Sequence, residues 1–284
     1  MQITNTPGVI GAHISGVDLA QPLSDVDFAR IENTFNERSV MCIRSQKVDE
    51  LQLIAFAQRF GGIETNHLTK YMHPRYPEIS YISNIQENGK DIGHADAGRV
   101  WHSDMSYVER PPRATLLYAL EVPTDKDSGK VLGDTRFSSA AAAYDSLPDD
   151  MKQRLANLRA IHQVAGRRAK TGTGQQDQAL RLAQPAVVHP VVRTHPHTRR
   201  KCIYVSKGEC GGIEGMAQDE ALALIDQLAD ITVQERFRYT HHWQVGDLLM
   251  WDNCALQHLA SFDYQWPQHR RLMHRITFGG SATF

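Results

Sequence analysis

The chain has 284 residues, with 31 Lys and Arg against 32 Asp and Glu and a formal charge of −1. No basic surplus points to a nucleic-acid binder and no long charge run to a solvating tail, and 41% hydrophobic residues suffice for the core of one large domain. No apolar run approaches the roughly 20 residues of a membrane span, no basic-then-apolar leader opens the chain, and four scattered cysteines form neither a zinc knuckle nor a disulfide framework, so a reducing cytoplasm is expected.

In chain order, "VIGAHISGVDL" alternates as a strand and turn. "LSDVDFARIENTF" has Ser24 as N-cap and Phe28, Ile31 and Phe35 at helical spacing. "VMCIRS" reads as a buried strand, and "DELQLIAFAQRFGG" as a second helix with Leu51, Ile54 and Phe60 among its apolar residues and Gly61 as its stop. From Gly62 to Val100 the pattern loosens around a short strand "ISYIS", which is long-loop territory suited to a lid. "RATLLYALEV" reads as a strand, followed by two helices, the second starting at Pro148. Residues 165–185 show no periodicity. The last hundred residues read as short strands, "AVVHPVVRT", "RKCIYVS", "RFRYTHHW", "GDLLMWDN" and "MHRITFGG", interrupted by one helix, "AQDEALALIDQLAD". The expectation is a mainly β protein with flanking helices, a double-sheet jelly roll over residues 1–284 with lid regions near 64–100 and 163–185.

One motif carries chemistry. In "WHSDMSY", His102 and Asp104 are two residues apart and point to one side of an extended segment. Such a pair is common by chance and needs a third ligand. His258, in "WDNCALQH", supplies a candidate. Two imidazoles and one carboxylate make a facial triad that suits non-haem Fe(II), because three coordination positions stay open for a bidentate cosubstrate and O2. A four-ligand structural zinc site leaves no such room. Downstream, "QHRRLMHRITF" puts Arg271, Met273 and Arg275 on one strand face, and an inward arginine grips a carboxylate well.

His102-x-Asp104, "GDT" at 133–135, "WDN…QH" ending at His258 and "RRLMHR" ending at Arg275 together resemble the taurine/2,4-dichlorophenoxyacetate (TauD/TfdA) family of Fe(II)- and 2-oxoglutarate-dependent dioxygenases, over residues 8–279. The resemblance implies a double-stranded β-helix. It implies that His102, Asp104 and His258 ligate iron, that Thr135 hydrogen-bonds 2-oxoglutarate, that Arg275 pairs with its distal carboxylate, and that Arg271 lies near its metal-bound end. It further implies hydroxylation, with O2 as the second cosubstrate and succinate and CO2 released, and cleavage where the hydroxylated carbon bears a heteroatom.

Substrates expected from the family are small organic anions such as sulfonates, sulfate esters and aryloxyalkanoates. Asn66, His67, Tyr71, Arg167 and Arg168 are the candidate contacts. The chain departs from a taurine-type pocket at Asn66, Gly98 and Cys210, where that pocket has His, Asn and Phe. The alternatives are a hydroxylase of an amino acid or secondary metabolite on the same scaffold, and a metal-free jelly-roll binding module. The expected partners are a small molecule and further copies of the chain, as a dimer or tetramer, with neither nucleic acid nor membrane.

Overall fold

The computed structural model describes residues 1–64, 71–164, 166–167 and 184–284. The strands in chain order are β1 (Gln2–Asn5), β2 (Ala12–Ser15), β3 (Val40–Ile43), β4 (Ile63–Glu64), β5 (Ser80–Ser83), β6 (Gln86–Glu87), β7 (Lys90–Asp91), β8 (Ala114–Glu121) and β9 (Thr135–Ser139). Then come β10 (Arg159–His162), β11 (Val187–Pro190), β12 (Val192–Thr194), β13 (Lys201–Ile203), β14 (Cys210–Ile213), β15 (Arg238–His241), β16 (Leu248–Asp252), β17 (Leu256–Ala260) and β18 (Leu272–Phe278).

The major sheet runs β1-β2-β3-β16-β8-β18-β4, with β5 also paired to β18. A minor sheet, β15-β9-β17, covers one of its faces. Period-2 alternation explains how one sheet serves two cores. Met41, Ile43, Leu116, Tyr118, Leu248, Met250, Ile276 and Phe278 face outward into a core with the helices Asp25–Arg38 and Glu50–Gln58. Their neighbours Val40, Cys42, Leu117, Ala119, Leu249, Trp251 and Met273 face inward and meet Phe137 and Leu256 of the minor sheet. This is the jelly roll the sequence predicts. A third core packs the helix Gln218–Thr232 on the β10–β14 region.

The first N-terminal helix begins at its expected cap, and the second at a cap outside the sequence-based expectation. Ser24 Oγ accepts from the backbone N–H of Asp27, and Asp49 and Gln52 form a reciprocal capping box. Leu51, expected among the apolar residues of the second helix, is 60% exposed; Leu53, Ile54, Phe56 and Ala57 are the buried positions. "AVVHPVVRT" is not one strand. It breaks at Val191, so that β11 pairs with β10 and β12 with β13. No helix among the described residues is long and apolar enough to cross a membrane.

Candidate metal centre and its cavity

His102 and His258 are brought together by backbone pairing. The His258 N–H donates to the His102 carbonyl (2.9 Å) and the His102 N–H donates back (3.2 Å), an isolated antiparallel bridge that extends β17. Residues paired in this way project side by side, and the two imidazole centroids lie 4.2 Å apart. Asp104 follows two residues later, and its Oδ1 stands 3.6 Å from His102 Nε2 and 3.7 Å from His258 Nε2. Two ligands about 2.1 Å from one metal stand about 3 Å apart at a right angle and about 3.4 Å apart at a tetrahedral one. The three donors are therefore close to a metal-binding arrangement, and all lie within 4.8 Å of one another.

Hydrogen bonds aim two of the three donors, while His258 Nδ1 is buried and meets no acceptor. His102 Nδ1 donates to the Val100 carbonyl at 2.8 Å, which leaves Nε2 with its lone pair toward Asp104. Asp104 Oδ2 accepts from the Thr115 hydroxyl at 2.6 Å, which leaves Oδ1 facing the imidazoles. Burial, then the charges of His102 and Arg275, push the His258 pKa down to about 3, so its ring is neutral. Burial works against the Asp104 carboxylate, but Arg275 and the two histidines outweigh it and hold its pKa well below the usual carboxylate range. Burial also disfavours a charged His102, yet the Asp104 carboxylate shifts the net balance upward.

A narrow cavity, open to solvent at its mouth, lies on this triad. Ile82, Ala95, Ala97, Leu117, Trp251 and Ala260 give it apolar walls, while Thr135, Tyr264, Arg271 and Arg275 supply the other polar groups. The sequence thus places six expected residues, the triad with Thr135, Arg271 and Arg275, on one cavity. Arg271, Met273 and Arg275 share the inner face, as their spacing predicts, and Arg271 reaches the Met273 sulfur at 3.5 Å.

The two arginines occupy opposite ends. Arg275 stands against the triad, with one guanidinium nitrogen 3.0 Å from Asp104 Oδ1. Arg271 lies with Thr135. It donates to the Gly133 carbonyl (3.0 Å) and to the Tyr264 hydroxyl (3.3 Å), and its guanidinium is 5.9 Å from the ring of Trp243, whose indole N–H donates to Thr135 Oγ1 (3.0 Å). Arg271 is 3% exposed, has no carboxylate partner among the described residues, and its Nε meets no acceptor. Gly133 makes this seat: its φ is +76°, and an added Cβ would stand 2.8 Å from the guanidinium.

Of the expected substrate contacts, the two that are described do not meet at the cavity. Asn66, His67 and Arg168 lie outside the described residues. Tyr71 packs edge-on against His94, with ring centroids 4.4 Å apart, and does not line the cavity. Arg167 turns away to hold both oxygens of Asp226, beside a separate recess with Trp101 and Gln257. Gly98 and Ala95, from the segment expected to form the first lid, do line the cavity.

A second set of metal-type donors, Cys42, His241 and Asp247, is already committed. Asp247 Oδ2 accepts from Arg44 (2.7 Å), His241 (3.0 Å) and the Gln244 N–H (2.9 Å), and burial pushes the Cys42 thiol up, away from the thiolate a metal needs. It ties β3, β15 and β16 together.

The family described as taurine catabolism dioxygenase TauD, TfdA family matches residues 2–277. The chain belongs to that family. A TauD/TfdA relative, the alpha-ketoglutarate-dependent 2,4-dichlorophenoxyacetate dioxygenase of Cupriavidus pinatubonensis, is 34% identical over 281 residues, covering 95% of this chain and 94% of that protein. The pentalenolactone F synthase of Streptomyces arenae is 30% identical, over 97% and 94% of the two chains. The solved structure of AAD-2 in complex with Mn(II) and N-oxalylglycine superposes with a TM-score of 0.84 at 28% identity, covering 99% of both chains. The protein is thus an Fe(II)- and 2-oxoglutarate-dependent dioxygenase of the TauD/TfdA family, and the metal-free binding module is excluded. The donor set fits iron: two imidazole nitrogens, one carboxylate oxygen and no thiolate.

Proposed function

We propose that His102, Asp104 and His258 hold Fe(II), that Arg271 and Thr135 bind the distal carboxylate of 2-oxoglutarate, and that Arg275 faces its metal-proximal end. The arginine roles are exchanged relative to the sequence-based expectation. The observation behind the exchange is the pairing of Arg275 with Asp104 while Arg271 sits beside Thr135 with no anion of its own. A buried guanidinium without a counter-charge is costly, and a carboxylate ligand repays that cost. Thr135 Oγ1 accepts from Trp243, so its own hydroxyl hydrogen is free to donate to the same carboxylate.

Bound at this triad, iron supplies the O2 chemistry that couples decarboxylation of 2-oxoglutarate to succinate and CO2 with hydroxylation of a substrate C–H bond. The chain's residues do the positioning. Val100 fixes the His102 tautomer, Thr115 aims Asp104, and the walls of Ile82, Leu117, Trp251 and Ala260 keep water from the reacting carbon.

For the substrate we favour a small organic anion with an apolar body, an aryloxyalkanoate before a sulfonate or sulfate ester. The apolar walls and the identity to the 2,4-dichlorophenoxyacetate enzyme support this reading. Hydroxylation of the carbon bonded to the aryl oxygen gives a hemiacetal, which breaks to a phenol and a 2-oxo acid. The similarity to pentalenolactone F synthase favours a secondary metabolite as the second reading. A dimer or tetramer in the cytoplasm completes the proposal, and four unpaired, buried thiols fit a reducing compartment. Succinate release over a panel of aryloxyalkanoates, alkyl sulfates, sulfonates and amino acids tests the substrate. Release with phenol formation from aryloxyalkanoates is expected. Turnover confined to amino acids would overturn it.

A further inference from the structure

Asp104 is gripped by a closed chain of buried groups. The Trp251 indole N–H and the Asp104 backbone N–H both donate to Asn253 Oδ1, at 3.1 and 3.3 Å. Asn253 Nδ2 donates to Thr115 Oγ1 at 3.1 Å. The Thr115 hydroxyl, having accepted from Asn253, donates to Asp104 Oδ2 at 2.6 Å. Thr115 and Asn253 are fully buried, and Asp104 is 6% exposed. Each group has one role left by its neighbour, so the direction of every bond is fixed.

The fold builds this chain from three places. Thr115 sits on the inward face of β8 with Leu117 and Ala119, opposite Trp251 of β16. Asn253 follows β16 directly, and its N–H is anchored on the Arg113 carbonyl at 2.7 Å. Neither residue lines the cavity, so neither meets substrate.

We propose that Thr115 is the positioning residue of the metal centre. Its hydroxyl, oriented by Asn253, occupies Asp104 Oδ2, so Oδ1, which Arg275 faces at 3.0 Å, is the oxygen left for the ion. A carboxylate free at both oxygens would rotate or bind through both, and would take a position that the cosubstrate or O2 needs. This rests on the reading of His102, Asp104 and His258 as the ligands, and the test separates the two.

The test is anaerobic Co(II) binding, with the visible spectrum of the bound ion as readout of its ligand geometry, in wild type, Thr115→Val, Thr115→Ser, Thr115→Ala and Asp104→Ala. Thr115→Val keeps the shape and removes the hydroxyl. It should weaken Co(II) by about 10- to 100-fold, the usual effect of losing a partner of a metal ligand, and change the spectrum. Thr115→Ser should restore both. Thr115→Val with wild-type affinity and spectrum would overturn the proposal, as would Thr115→Ser as weak as Thr115→Val. If Thr115→Val does not fold, as judged by circular dichroism, Thr115→Ala is read in its place: weak binding supports the proposal and wild-type binding overturns it. Asp104→Ala should lose the ion. If it binds like wild type, the ligand assignment itself has failed, and the positioning role with it.

Discussion

Replacing Arg271 by Met separates stability from cosubstrate binding. Arg271 is buried, contacts Gly133, Tyr264 and Met273, and has no carboxylate partner among the described residues. Exchanging a buried cation that has no counter-charge for an apolar side chain of similar length removes its desolvation cost, which offsets the loss of the donor to the Gly133 carbonyl and the Tyr264 hydroxyl, so stability should be unchanged or raised. Its binding role predicts the opposite effect on 2-oxoglutarate. Truncating one member of a buried hydrogen-bonded charge pair costs about 2–5 kcal/mol, or about 30-fold to a few thousand-fold in affinity at ~1.4 kcal/mol per tenfold. The assays are thermal unfolding of ligand-free protein and anaerobic titration of Mn(II)-loaded protein with 2-oxoglutarate. The expected pair of results is an unchanged or raised Tm with affinity lost. Unaltered 2-oxoglutarate affinity would refute the placement of the distal carboxylate at Arg271.

Gly133→Ala should also weaken 2-oxoglutarate, because its Cβ would displace the Arg271 guanidinium, and should cost about 1–2 kcal/mol of stability from the left-handed backbone; wild-type KM would contradict the seat described for Arg271. Stability should also fall in mild acid. His162 is 1% exposed, and burial, then His189, push its pKa down to about 3, while the unfolded ring titrates near 6.5. Between those values the unfolded chain binds the extra proton, so this group's contribution is full above about pH 6.5 and is lost as pH falls, at up to about 1.4 kcal/mol per unit. Urea unfolding from pH 7 to 4.5 should show a shallower pH slope in His162→Phe than in wild type. Equal slopes would contradict a neutral buried imidazole.

Much of the site was legible because its residues lie on regular elements. Period 2 places Arg271, Met273 and Arg275 together wherever that strand pairs, and His102-x-Asp104 needs only extended backbone. The helix start at Ser24 follows from capping chemistry between residues three apart. What the sequence hides is long-range. The partner of an arginine depends on which loop lies opposite, so the order of Arg271 and Arg275 along the cavity is set by Gly133 and Asp104, 138 and 171 residues away. Thr115 belongs to a strand whose alternation is readable, yet nothing local shows that its inward hydroxyl meets Asp104. Arg167 has a cationic side chain beside an expected lid, but the Asp226 that holds it comes from a distant helix. Strands β9, β10, β14 and β17 escaped because "TRFSS", "RAIH", "CGGI" and "LQHLA" mix small, polar and apolar residues and are set by pairing rather than propensity.

The central claim is that three side chains share one ferrous ion. Anaerobic Mn(II) titration followed by electron paramagnetic resonance tests it most directly, in wild type and in His102→Ala, Asp104→Ala and His258→Ala. The account predicts one ion per chain in wild type and loss of that site in each variant, with circular dichroism unchanged. A variant that binds one ion as tightly as wild type would remove its residue from the centre and contradict the account.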